Sequence, residues 1–157
     1  MRKQITLRLN DEPRTLEVQP NDILLDVLRE KLGVKSPKIG CERGDCGACT
    51  ILLDGKTVRS CLILAIEADG HEVMTVEGLS RGSLTPVQQA LLEHNSFQCG
   101  FCAPGVVLAA TELLGDNPHP TEQDVKEALS GNLCRCTGYQ SIIEAIIDVQ
   151  EKASKSL

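Results

Sequence analysis

The chain has 157 residues, eight cysteines and a formal net charge of −6 at pH 7. The length allows one domain or two small ones, and the charge argues against a nucleic-acid or anionic-membrane surface, so the expected partners are proteins. Cysteine is about 5% of the residues, below the density of a small disulfide scaffold, and no apolar run approaches the roughly 18 to 20 residues that span a bilayer.

Met1 to Leu9 alternates polar and apolar residues as a strand does. It lacks the apolar run and cleavage site of a secretory signal, which makes a reducing cytosol the expected compartment. Turn chemistry at Asn10-Asp11-Glu12-Pro13, followed by Leu16 and Val18, predicts a hairpin. Asn21 or Asp22 is the expected cap of a helix carrying Leu24, Leu25, Leu28 and Leu32 and closed by Gly33.

Next comes Gly40-Cys41-Glu42-Arg43-Gly44-Asp45-Cys46-Gly47-Ala48-Cys49-Thr50, a C-x4-C-x2-C spacing. With a distant fourth cysteine this is the plant-type signature for a 2Fe-2S cluster, and Cys61 is the natural fourth ligand. Such a cluster with four thiolates carries about −2 when oxidised, a charge best met by backbone N–H groups. Gly40, Gly44 and Gly47 are expected to take positive φ and curl the loop so that its amides face the sulfurs, with Arg43 adding positive charge. A zinc site or a disulfide pair is the alternative; zinc sites usually pair two C-x2-C elements, which the four-residue gap after Cys41 fits poorly.

Ile51 to Leu53, the Asp54-Gly55 turn signal and a return strand bring Cys61 back toward the loop, and Val73, Met74 and Val76 predict a last strand. Beyond the Ser80-Arg81-Gly82-Ser83 junction the pattern becomes helical. Thr85-Pro86 opens a helix with Val87 and Leu91. Pro104 opens a longer one ending at Gly115. Thr121 with Asp124 starts a third, with Val125, Ala128 and Leu129, stopped by Gly131. Ile142, Ile143, Ile146, Ile147 and Val149 mark the fourth, and the polar tail from Lys152 is expected to fray.

The remaining cysteines, Cys99, Cys102, Cys134 and Cys136, fall on two loops that each precede a helix, where the dipole and unpaired amides would lower a thiol pKa. Their C-x2-C and C-x-C spacing leaves zinc or a dithiol pair as rivals to iron-sulfur, and no adjacent C-x-H pattern suggests a Rieske-type centre. The expected division is α+β: a ferredoxin-like β-grasp domain over 1–79 and a four-helix domain over 80–157. Each is small enough for a metal staple to supplement its core.

Together with Gln98-Cys99-Gly100-Phe101-Cys102-Ala103-Pro104-Gly105 and Gly131-Asn132-Leu133-Cys134-Arg135-Cys136-Thr137-Gly138-Tyr139, the first motif resembles the iron-sulfur subunit of the molybdenum hydroxylases, the xanthine oxidase family. The resemblance covers roughly residues 3 to 150. It implies two 2Fe-2S clusters, a large subunit binding molybdopterin in its cytosine dinucleotide form, a medium FAD-binding subunit, and a dimer of heterotrimers. It places the cluster of Cys99, Cys102, Cys134 and Cys136 beside the molybdopterin and that of Cys41, Cys46, Cys49 and Cys61 nearer the flavin. Gln98 and Cys136 match positions that contact the pterin, although Gln98 also suits a side-chain cap on its loop. Ala103 stands where many members have Thr, a departure that could alter one hydrogen bond near the inner cluster.

A self-contained enzyme would need convergent acid, base or nucleophile residues. This chain offers three scattered histidines, one tyrosine, no GxGxxG element and no P-loop, so chemistry is expected on a partner. A freely diffusing ferredoxin-type carrier and a zinc-stabilised interaction module are the other readings; the first leaves the helical half unexplained.

Overall fold

The computed structural model describes residues 1–80 and 82–155, by backbone alone from 150 onward. Arg81 of the junction and the last two tail residues lie outside them. β1 (Lys3–Leu9) and β2 (Glu12–Val18) form the expected hairpin. Its turn is two residues, Asn10 and Asp11 with φ of 51° and 69°, so Glu12 and Pro13 belong to β2 and not to the turn. Pro13 is tolerated because β2 is an edge strand, where a missing N–H breaks no inner ladder.

The first helix departs from expectation twice. α1 (Leu24–Asp26) runs into a π-helical turn over Val27–Lys31, where Leu32 N–H reaches back to the Val27 carbonyl. Neither Asn21 nor Asp22 caps it: the Asp22 carboxylate accepts from Gln19 N–H at 3.0 Å and from Lys31 Nζ at 2.6 Å. The buried residues face two ways. Leu24, Val27 and Leu28 enter the β-grasp core, while Leu25 lies against Cys49 and Cys61. Gly33, at φ 72°, ends the helix, and Val34 N–H closes onto the Leu28 carbonyl.

β3 (Thr50–Leu53) and β4 (Lys56–Arg59) form a hairpin around Asp54 and Gly55, both at positive φ, and a 3-10 turn over Ser60–Leu62 follows β4 at once. β5 (Glu72–Met74) completes a five-stranded sheet in the order β2-β1-β5-β3-β4, parallel only where β1 meets β5. Val76 does not extend β5 as predicted. It opens a short helix, α2 (Val76–Leu79), after Thr75, whose N–H donates to Asn10 Oδ1 and whose hydroxyl donates to Glu77. Val76 and Leu79 pack against the helical core that follows.

That core is built by α3 (Pro86–Glu93), α4 (Ala103–Asp116), α5 (Glu122–Leu129) and α6 (Gln140–Lys155). Thr85 with Gln88 and Thr121 with Asp124 each form a reciprocal capping box, which is why α3 and α5 start where their sequences predict. α6 continues to Lys155, so the polar tail is helical that far. α4 is the central helix. Six successive residues from Gly105 to Ala110 are buried, because α4 packs against the other helices on one side and against β3 and β4 on the other.

The α4 contact with the first half depends on a missing side chain. A Cβ on Gly105 would sit 2.5 Å from the Gly47 carbonyl oxygen, whereas one on Gly115 would meet nothing within 4 Å. Gly105→Ala should therefore cost about 1–3 kcal/mol through overpacking, while Gly115→Ala should gain about 0.5–1 kcal/mol from helix propensity. Urea denaturation of the two variants checks the opposite signs.

Candidate iron-sulfur centres

The first quartet assembles from a loop and a hairpin. Cys41, Cys46 and Cys49 lie on the loop between the first helix and β3, and Cys61 lies in the 3-10 turn after β4. Thiol contacts join Cys41 to Cys46 and Cys49 to Cys61. Gly44 and Gly47 take positive φ as predicted, at 87° and 73°, but Gly40 does not, and the third left-handed residue is Glu42 at 55°. Gly40 is required for space: a Cβ there would lie 2.7 Å from Cys46 Sγ.

Turned amides and burial pull the thiols of the first quartet in opposite directions. The N–H groups of Arg43 and Cys46 pull the Cys41 thiol down to about 6. Arg43 thus contributes its backbone; its guanidinium turns to Asp45 Oδ2 at 2.6 Å and is largely exposed. Burial, and then Cys49, pushes the Cys61 thiol up to about 11, against the N–H of Gly44.

The second quartet sits between the helices. Cys102 is the N-cap of α4, Cys99 precedes it on the same turn, and Cys134 and Cys136 lie on the α5–α6 loop. Cys136 Sγ is 3.6 Å from Cys99 Sγ, and Cys102 contacts Cys134. The expected dipole lowering fails at Cys102, whose thiol is pushed up to about 12 by burial and then by Cys134. Cys99 is lowered, chiefly by the Phe101 N–H. At Cys134 burial opposes the charge, but the Thr137 hydroxyl, with Oγ1 3.1 Å from the sulfur, and the amides of Cys136 and Thr137 outweigh it. Cys136 is raised by its contact with Cys99.

Among the described residues, no three Cys, His, Asp or Glu side chains gather as ligands of a single ion. The thiols meet in pairs, two pairs to each quartet. Gln98 Nε2 donates to the Cys136 carbonyl at 3.2 Å and so ties the two loops of the second quartet together. The histidines stay outside both sites: His71 pairs with Asp54, His94 with Asp148, and the His119 N–H donates to Asn117.

Several residues that hold the quartets were not singled out from the sequence. Asn132, 2% exposed, donates to the Gly47 carbonyl at 3.2 Å and to Thr50 Oγ1 at 3.1 Å. Arg59 donates to Thr50 Oγ1 at 2.8 Å and to the Gly131 carbonyl at 2.7 Å. Tyr139 accepts from Cys134 N–H at 2.7 Å and donates to the Asn132 carbonyl at 3.0 Å. Leu133 N–H donates to the Cys46 carbonyl at 2.9 Å, a direct link from one quartet to the neighbour of a cysteine in the other. The visible signals were an Asn inside the last cysteine motif and the chain's one tyrosine just after it.

Comparison with known proteins agrees with both halves. Residues 7–76 match the 2Fe-2S iron-sulfur cluster binding domain, and residues 75–147 match the [2Fe-2S] binding domain. The nicotine 6-hydroxylase small subunit of Paenarthrobacter nicotinovorans is 53% identical over 147 residues, covering 94% of this chain and 89% of that subunit. The xanthine dehydrogenase iron-sulfur-binding subunit of Escherichia coli O157:H7 is 43% identical, covering 94% of each chain. A chain of quinoline 2-oxidoreductase from Pseudomonas putida 86 superposes with a TM-score of 0.93 at 48% identity, covering 98% of this chain and 97% of that one.

The thiol ordering is directly measurable before cluster insertion. Cys41 should be the first cysteine alkylated by a short iodoacetamide pulse at pH 7 and should lose that advantage below about pH 6, where it protonates. Cys61 and Cys102 should stay protonated and slow up to about pH 11. Peptide mass spectrometry gives the order, and faster labelling of Cys102 than of Cys41 would contradict it.

Proposed function

Because this chain belongs to the small iron-sulfur subunits of the molybdenum hydroxylase (xanthine dehydrogenase) family, we propose that it carries two 2Fe-2S clusters and conducts electrons from a molybdopterin centre toward a flavin. Cys41, Cys46, Cys49 and Cys61 would hold the outer cluster, and Cys99, Cys102, Cys134 and Cys136 the inner one. Bound there, each cluster supplies a one-electron redox store. The observation that carries this reading is the pairing of thiols in twos within each quartet, which suits a two-iron core with two thiolates per iron and does not suit one tetrahedral zinc.

The chain's own residues shape that role. Amides of Arg43, Cys46 and Gly44 face the outer sulfurs, and those of Phe101, Cys136 and Thr137 face the inner ones, each offsetting negative charge that burial would penalise. The bond from Leu133 N–H to the Cys46 carbonyl gives the two sites a short route whose only side chains are those of Cys46 and Cys134. Cys99 and Cys136 are exposed, so the inner site opens to a partner surface. Gln98 stands at that opening, where it would meet the pterin while its amide braces Cys136.

The partners in this reading are a large subunit with molybdopterin in its cytosine dinucleotide form and a medium FAD subunit, assembled as a dimer of heterotrimers. Substrate choice belongs to the large subunit. The proposed division is 1–79 for the outer cluster and 80–157 for the inner, with Val76 and Leu79 of the first part packed against the helical core. A cytoplasmic location fits thiol ligands that must stay reduced; no helix among the described residues is long and apolar enough to cross a membrane.

Affinity purification from the native host tests this reading. A large subunit should co-purify with near-stoichiometric molybdenum, and the dithionite-reduced complex should show two electron paramagnetic resonance signals. Recovery of the chain alone, with iron and no molybdenum, would instead make it a free carrier. Cys61→Ser should abolish the outer signal, keep the inner one and stop electron delivery to the acceptor. Loss of the inner signal instead would refute the grouping.

A further inference from the structure

Lys38 is anchored in the loop of the first quartet, yet its side chain ends over Phe101, which lies between two cysteines of the second in sequence. Its N–H donates to the Ala48 carbonyl at 2.9 Å, which fixes the backbone three residues before Cys41. Its ammonium donates to the Ser36 carbonyl at 3.3 Å and stands 5.5 Å from the centre of the Phe101 ring. Phe101 occupies the middle of Cys99-Gly100-Phe101-Cys102. The ring is 47% exposed and is not core; it forms a platform for the cation.

Burial and the nearby Arg29 disfavour the Lys38 charge, while Glu77 and the thiols of Cys102 and Cys99 favour it. Glu77 also accepts from Ser36 and Thr75, and it shares the influence on this ammonium with Cys102 and Cys99 of the second quartet. No cysteine of the first quartet figures among the main influences on this ammonium. Its charge therefore reaches across the boundary between the two halves as well as to Arg29 and Glu77 in its own.

We propose that Lys38 sets the potential of the inner cluster: an ammonium held over Phe101 by the loop of the first quartet favours the reduced state of the cluster on Cys99, Cys102, Cys134 and Cys136. Reduction by one electron adds one negative charge at that site, and a fixed positive charge nearby lowers the free energy of the reduced form. The inner cluster is thereby easier to fill than it would be without Lys38. This inference rests on the assignment of a cluster to those four cysteines.

The test is a dithionite titration of the whole complex followed by electron paramagnetic resonance, with the inner signal identified as the one that Cys61→Ser retains. In Lys38→Gln the reduced-to-oxidised ratio of the inner cluster at fixed potential should fall about tenfold, a shift of about 59 mV to lower potential, while the outer signal moves less. Lys38→Arg should restore most of the ratio. Lys38→Met, which keeps the stem on Phe101 without the charge, should behave as Lys38→Gln does and covers the case in which that variant fails to assemble. Lys56→Gln, which removes a cation paired with Glu112 and Asp116, should move neither signal. An unchanged inner potential, or an equal shift of both signals, would overturn the proposal. A single signal in the unsubstituted complex would instead overturn the two-cluster reading beneath it.

Discussion

The Gly47 carbonyl lies against Gly105 of α4 and accepts from Thr50 N–H, Thr50 Oγ1 and Asn132 Nδ2 at 3.1, 2.6 and 3.2 Å. At this point backbone meets backbone, with the Asn132 side chain alongside, between the loop of the first quartet and the helix that Cys102 caps. The approach is possible because Gly47, Gly105 and Gly131 leave the space open: a Cβ on any of them would fall within 2.5 Å of a neighbouring atom. Arg59, Thr50 and Asn132 satisfy the polar groups that this close contact buries, at a place where an unpaired donor or acceptor would cost about 1–3 kcal/mol. Two small cores are thereby held as one object, and the spacing between the quartets is set by backbone against backbone.

Within each quartet two forces oppose each other. Burial raises the thiols of Cys61 and Cys102, which favours neutral sulfur, while inward amides lower Cys41 and Cys99. Each site thus has a buried side and a solvated, amide-rich side. The buried cysteines, Cys49, Cys61 and Cys102, anchor the quartets to α1, the β3–β4 hairpin and α4. The exposed pair, Cys99 and Cys136, points one site outward. Such asymmetry suits a conductor that must exclude water from one face of a redox centre and present the other to a partner.

Much of this was legible in the chain, because the informative residues act locally. The Asp54-Gly55 turn, the Thr85 and Thr121 capping boxes and the apolar spacing of α6 depend on neighbours within four residues. The misses came where tertiary demands overrode local preference. Asp22 was drawn from its capping role by Gln19 and Lys31, Val76 was turned into a helix by the bonds of Thr75 to Asn10 and Glu77, and the helix after Leu24 widened to place Leu25 on one core and Leu28 on another. Gly40 serves by its size and not by its conformation, since the sulfur that excludes its Cβ belongs to a residue six positions away.

The residue types and spacing by themselves determined that eight cysteines divide into two sets of four, that each set lies on loops able to turn amides inward, and that a sheet domain precedes a helical one. Those facts depend on short-range geometry, which a sequence carries openly. Only the tertiary structure decided which groups lie between the sets. Asn132, Arg59 and Lys38 each act on atoms contributed by a distant part of the chain, and no spacing rule records a contact made by folding two domains onto each other.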